Sequence, residues 1–201
     1  NFGGQITGSP GAESFVFLHM KSNGGVLDID NQAGISSQAQ LTHVRATAKD
    51  GVYLAGAYQN TISVNGTSYS STSGSRDALV IKYDNSANLS WVRSAGGSSS
   101  DEINGLDVDV LGNAYIIGNF NGSANFSGTT ITTSSFFGDA FVARYNGNGN
   151  VHWAMPLGAS SFNLASGYSI SMNAAGQGII TGEFASTMDF GGTVINATEG
   201  A

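Results

Sequence analysis

Along the chain, short apolar runs alternate with clusters of Gly, Ser, Asn and Asp, and no stretch spaces its apolar residues convincingly for a helix. Asp77-Ala78-Leu79-Val80-Ile81-Lys82-Tyr83 is mostly apolar and bounded by polar turns, the pattern of a strand buried on both faces. Leu106, Val108 and Val110 alternate with Asp107 and Asp109, which predicts a half-buried strand. Residues 84–88 and 146–150 are rich in turn formers. They lead into Leu89-Ser90-Trp91-Val92 and Val151-His152-Trp153-Ala154, the predicted partner strands of two hairpins. A Gly-containing turn at 111–113 feeds a predicted strand from Ala114 to Phe120.

These segments recur at a fixed period. Asp139-Ala140-Phe141-Val142-Ala143-Arg144-Tyr145 repeats the run that starts at Asp77, 62 residues on, and Ser14-Phe15-Val16-Phe17-Leu18-His19-Met20 is a weaker copy 63 residues before it. Trp91 and Trp153 are also 62 apart, with Asp28 at the equivalent earlier position. Gly56, Gly118 and Gly182 close the related runs Val52–Gly56, 114–118 and 178–182, at steps of 62 and 64. Phe2, Val64, Phe126 and Phe190 keep the same register, each followed two residues later by Gly4, Gly66, Gly128 or Gly192. Four markers in one register establish a repeat.

The expected fold class is all-β: tandem four-stranded antiparallel sheets stacked face to face as β-propeller blades, about three repeats of roughly 62 residues. A stacked β-solenoid is the competing architecture. The chain divides into 1–13, the end of a preceding unit, and repeats at 14–76, 77–138 and 139–201. Opening on Asn1 rather than Met, it is expected to be a processed or excised piece.

Composition narrows the function classes. Charged residues make up 10% of the chain against about 25% in an average domain, and the net charge of −7 argues against a phosphate-backbone partner, so nucleic acid is not expected. With no cysteine, disulfides and thiolate metal sites are excluded. No apolar stretch reaches the ~20 residues of a membrane-spanning helix.

Candidate chemistry is sparse. The sequence has no Gly-x-Ser-x-Gly, His-Glu-x-x-His, P-loop or dinucleotide fingerprint. His19, His43 and His152 fall at unrelated repeat positions, which favours isolated strand residues over a catalytic triad. Asp28 with Asp30 and Asp107 with Asp109 are expected to share a strand face, and Asp101-Glu102 to lie in a loop, so calcium is conceivable. Asp107 and Asp109, however, align with Arg45 and Thr47 in one copy and with Ser171 and Asn173 in another, so solvated carboxylates are the default. Trp91, Trp153, Tyr83 and Tyr145 recur and read as packing between units rather than as a sugar-stacking surface. No catalytic, cofactor or metal residue is assigned.

Asp139–Tyr145 followed by Gly149-Asn150-Val151-His152-Trp153 resembles the bacterial β-propeller repeat called SBBP. So do Gly96-Gly97 with Asp101-Glu102, and Gly112-Asn113-Ala114-Tyr115-Ile116-Ile117-Gly118. The resemblance covers essentially the whole chain; it is rich in motifs in the second copy, good in the third and weak in the first, which lacks the Trp and the Asp-Glu pair. It implies a secreted or cell-surface bacterial protein and a non-catalytic, structural or adhesive role. A lectin-like module binding carbohydrate or protein is the alternative. The family strand order implies the outer hairpin of one blade, two whole blades and the inner hairpin of another. Three blade-equivalents fall short of the about 4–8 in a closed ring, so further repeats or head-to-tail copies are expected to complete it.

Overall fold

The computed structural model describes residues 17–20, 26–30, 38–86, 88–158 and 164–197. Strands β1 (Phe17–Met20) and β2 (Val26–Asp30) form a hairpin, followed by β3 (Ala39–Thr47) and β4 (Gly51–Gln59). A short pair, β5 (Thr61–Val64) and β6 (Thr67–Ser70), precedes β7 (Arg76–Tyr83) and β8 (Leu89–Ala95). The order recurs as β9 (Glu102–Val108), β10 (Ala114–Phe120), β11 (Ser123–Phe126), β12 (Thr129–Thr132), β13 (Asp139–Tyr145) and β14 (Val151–Leu157). It starts again with β15 (Ala165–Met172), β16 (Gly178–Phe184), β17 (Thr187–Asp189) and β18 (Val194–Asn196). A three-residue 3₁₀ turn, Thr72–Gly74, is the one helical element among the described residues, so none is long and apolar enough to cross a membrane.

The fold is all-β and antiparallel. Sheet I has the order β3-β4-β7-β8 and sheet II the order β9-β10-β13-β14, while β15 and β16 pair with each other. Among the described residues no barrel or ring is closed. Each full round holds six strands rather than the four expected, because β5-β6 and β11-β12 are separate hairpins inserted between the second and third strands of a sheet. Their turns explain the fourth sequence marker. Asn65 and Gly66 have φ of 50° and 79°, Ser127 and Gly128 50° and 107°, and Gly191 and Gly192 65° and 103°. Positive φ at both central residues is the primed two-residue turn that matches strand twist, and it favours glycine at the second position.

The middle strands β4, β7, β10 and β13 are buried on both faces, as their apolar runs require. Ala78 and Val80 of β7 meet Ile116, Phe141, Ala143 and Tyr145 of sheet II in one core between the sheets. Leu79, Ile81 and Tyr83, one residue out of phase, enter a second core on the far face of sheet I. Ala140 and Val142 of β13 pack toward β15 in a third. The expected alternation through Val110 stops early. β9 ends at Val108, the chain turns at Asp109, and Val110 and Leu111 are exposed.

Gly56, Gly118 and Gly182 occupy equivalent sites, each beside a β-bulge on the strand opposite. A Cβ on them would stand 1.9 Å from the Gln40 carbonyl oxygen, 1.9 Å from that of Glu102 and 2.2 Å from that of Ser166. The bulge pushes a carbonyl into the place of a side chain, and only glycine leaves room. Gly118→Ala is therefore expected to destabilise at the top of the about 1–3 kcal/mol range of overpacking. Gly128→Ala, whose Cβ meets nothing within 4 Å, carries only the left-handed backbone cost of about 1–2 kcal/mol. Urea unfolding of the two variants checks the order; equal losses would remove the steric account.

Candidate functional site

The polar chemistry of the described residues concentrates where one sheet meets the next. Strand β8 places Trp91 against sheet II, its ring edge-on to Tyr53 at 5.9 Å between centroids and stacked with Tyr145 at 6.3 Å. The Trp91 indole N–H donates to the carbonyl of Gly147 at 3.1 Å, and Lys82 Nζ donates to the same oxygen at 2.9 Å. Arg93 Nε donates to the Gly149 carbonyl at 2.6 Å, and the Tyr53 hydroxyl to that of Gly112 at 2.8 Å. All four side chains come from sheet I, and all the acceptors are backbone oxygens in two turns of sheet II.

Those turns are held rigid by their own first residue. Asn146 Oδ1 accepts the N–H groups of Asn148 and Asn150, and Asp109 Oδ1 accepts those of Leu111 and Asn113. Asp109 also receives the Asn113 amide and the Tyr115 hydroxyl. Burial works to raise its pKa, but the bonds from Asn113, Leu111 and Tyr115 prevail and hold it below the ordinary carboxylate value. Asp107 and Asp109 are thus not brought together. Asp107 instead accepts Arg45 Nε at 3.1 Å from sheet I and the Met172 N–H at 2.6 Å from β15. Arg45 and Asp107 occupy one repeat position in adjacent units, and divergence between copies has made them an ion pair across the junction.

A second junction feature is a pair of buried carboxyls. Asp77, at the head of β7, is 2% exposed and accepts the Thr72 N–H and the Ser75 hydroxyl. Asp101, just before β9, is 1% exposed and accepts the N–H groups of Gly97 and Asn121. Both lie within 3.0 Å of where a Cβ on Gly96 would stand, so the glycine admits the pair. Burial raises both pKa values; for Asp101 the Gly97 and Asn121 bonds oppose it, the Asp77 charge adds to it, and the result is about 7. Asp101 therefore changes its protonation state near neutrality. Neither carboxyl borders the cavity of about 300 Å³ beside β16 or that of about 190 Å³ beside Tyr58, so neither cavity offers a substrate access to the pair.

The other sequence candidates are dispersed. His43, half-buried on β3, has its pKa lowered by burial and then by Arg45. His152 is the extra residue of the bulge between β13 and β14, which turns it to solvent, 3.3 Å from Arg144. Asp28 and Asp30 lie on β2 and His19 on β1, with side chains outside the described set. No cluster of three metal-ligating groups occurs among the described residues. Glu102 pairs with Arg76 at 3.3 Å. Trp91 and Phe126 are buried, whereas Trp153 and Phe190 are half-buried. Phe136 and Phe137, at the tip of the loop before β13, stand 76% and 58% exposed with their rings edge to face. Their signal was present in the sequence as two adjacent Phe at the positions that hold Gly74 and Ser75 in the previous copy.

Trp91→Ala is expected to cost about 3–5 kcal/mol, and Trp153→Ala clearly less despite its identical repeat position; urea unfolding of both variants reads the difference. For Asp101 the sign follows from its raised pKa. The fold favours the protonated acid, so its stabilising contribution is full below about pH 4 and is lost as pH rises through about 7. Melting temperatures measured from pH 5 to pH 8 should fall less steeply in Asp101→Asn than in the parent chain. Parallel profiles would remove the raised pKa of Asp101.

No protein-family model matches the chain, and no curated protein matches it significantly.

Proposed function

We propose that the chain is a non-catalytic structural repeat region, its sheets serving as β-propeller blades in the scaffold or adhesive surface of a secreted or cell-surface bacterial protein. One observation carries this reading: the groups best suited to grip a ligand are committed to joining one sheet to the next. Tyr53, Lys82, Trp91 and Arg93 all donate to turn carbonyls of sheet II, and Asp107 is held from both sides. Face-to-face stacking of four-stranded meanders that share a bulge register fits blades, and the resemblance to the SBBP repeat adds the extracellular setting. Fold alone does not decide function, so weight rests on where the polar groups are engaged.

A lectin-like binding module is the second reading, and Phe136 with Phe137 favours it. Two adjacent rings exposed on a loop tip are an apolar platform of the kind that sugar faces and protein partners use.

Glycan-array profiling of the chain beside the Phe136→Ser/Phe137→Ser variant separates the two. A scaffold retains no glycan in either form. Retention by the parent chain that disappears in the double variant transfers the assignment to the lectin reading. Turnover of a glycan or peptide substrate that Asp101→Asn abolishes would overturn both.

A further inference from the structure

The face of sheet I that turns to sheet II becomes polar where β3 and β7 begin and β4 ends. Gln40 pairs with Ala57, Ala57 with Ala78, and Gln59 with Arg76. These residues share the face of Ala55, Ala78 and Val80, which enter the core between the two four-stranded sheets. The cavity of about 190 Å³ opens there, with Gln38, Gln40, Ala57, Gln59 and Arg76 in its wall.

Ala57 explains the cavity. Its repeat counterpart is Asn119, whose Oδ1 accepts the Gly167 N–H at 3.0 Å across the next junction, while Asn104 Nδ2 donates to the Gly167 carbonyl at 3.0 Å. Ala57, 1% exposed, has no such reach, and space is left between polar walls. Those walls hold unused bonding capacity. Among the described residues the Arg76 side chain makes no hydrogen bond: its Nε is buried and unsatisfied, and Glu102 Oε2 of sheet II approaches it at 3.3 Å as an ion pair only. The Gln40 side chain makes none either. Gln59 Nε2 donates to the Gly74 carbonyl, and Gln38 Oε1 accepts from the Asn60 amide, so each of these carboxamides keeps its other end for the cavity.

We propose that this cavity binds a free α-amino acid with a small or polar side chain. The site offers a cation in its wall and an anion beside it, so a ligand of one sign is drawn by one group and repelled by the other. A zwitterion satisfies both. In an α-amino acid the ammonium nitrogen and the carboxylate carbon share one carbon, at about 1.46 and 1.52 Å, a closeness that matches the approach of Arg76 to Glu102. The Arg76 fork receives the carboxylate through paired charge-assisted bonds, and Glu102 accepts the ammonium. The carboxamides of Gln40 and Gln59 meet a polar side chain. Size agrees, because sites for drug-sized ligands run to about 300–1,000 Å³ and this one is smaller. The inference goes beyond the scaffold reading and does not rest on it, since Tyr53, Lys82, Trp91 and Arg93 take no part.

Isothermal titration calorimetry of the chain with glycine, L-serine and L-asparagine tests this. Acetate, methylammonium and D-glucose serve as the single-charge and neutral controls. The expected result is a Kd on the order of 1 mM for at least one of the three amino acids, and no heat from the controls at the same concentrations. Ala57→Asn, which puts the side chain of the neighbouring junction into the cavity, is expected to weaken binding at least about tenfold. Arg76→Lys keeps the charge but loses the planar fork, and is expected to do the same. Urea midpoints are measured for both variants, and one that has lost its fold leaves the decision to the other and to the controls. No binding of any of the three amino acids, binding of a control as tight as theirs, or unchanged affinity in a folded variant overturns the proposal.

Discussion

The stack depends on the contact between an aromatic side chain on one sheet and a rigid turn on the next. Trp91 is stacked with Tyr145 and meets Tyr53 edge to face, and its indole N–H reaches a carbonyl of the 146–150 turn. That turn can come so close only because Gly149 has no side chain; a Cβ there would lie 2.7 Å from the indole. Its positive φ of 78° places the residue in the left-handed region, where glycine is at ease. The Asn146 side chain then fixes the loop from inside. Apolar burial makes the sheets adhere, while this contact sets the position at which they do so. Lys82 and Arg93 add charge-assisted bonds to the same turn, each stronger than a neutral one.

Much of this was legible in the sequence because a tandem repeat reports each structural position more than once. The strands Asp139–Tyr145 and Ala114–Phe120 carried apolar residues on both faces, which is the mark of a sheet covered front and back. The recurring glycines 56, 118 and 182 marked a steric need, and the bulge opposite each supplies the cause. The inserted hairpins were less visible. Asn65-Gly66 is a strong two-residue turn signal, but the strands beside it are four residues long and too short to show a period. Asp109 was placed on a strand face because Val108 and Val110 alternate around it, yet its side chain closes the turn locally, and that bonding outweighs the pattern.

The candidate site was harder to read, for a physical reason. Asp107 and Arg45 looked like an argument against any shared role, since one repeat position held opposite charges. In a stack, the same position in neighbouring units lies face to face, so unlike residues there form a pair and like charges would repel. The closeness of Asp77 and Asp101 was invisible for a different reason. It depends on the path of the chain through Gly96 and Gly97, which no periodicity encodes. Phe136 and Phe137 stood out only as a departure from their counterparts in the preceding copy.

The acceptors that Tyr53, Lys82, Trp91 and Arg93 find on sheet II are all main-chain oxygens, on Gly112, Gly147 and Gly149. Every residue has a carbonyl, so the accepting surface is defined by backbone shape and is indifferent to most side chains. A unit gained or lost by recombination between such repeats meets a neighbour that can receive it, provided the turn keeps its length, its opening Asx residue and its close-approach glycine, and provided like charges do not meet at the position of Arg45 and Asp107. Arrays joined in this way can change in length more readily than in the identity of their joints.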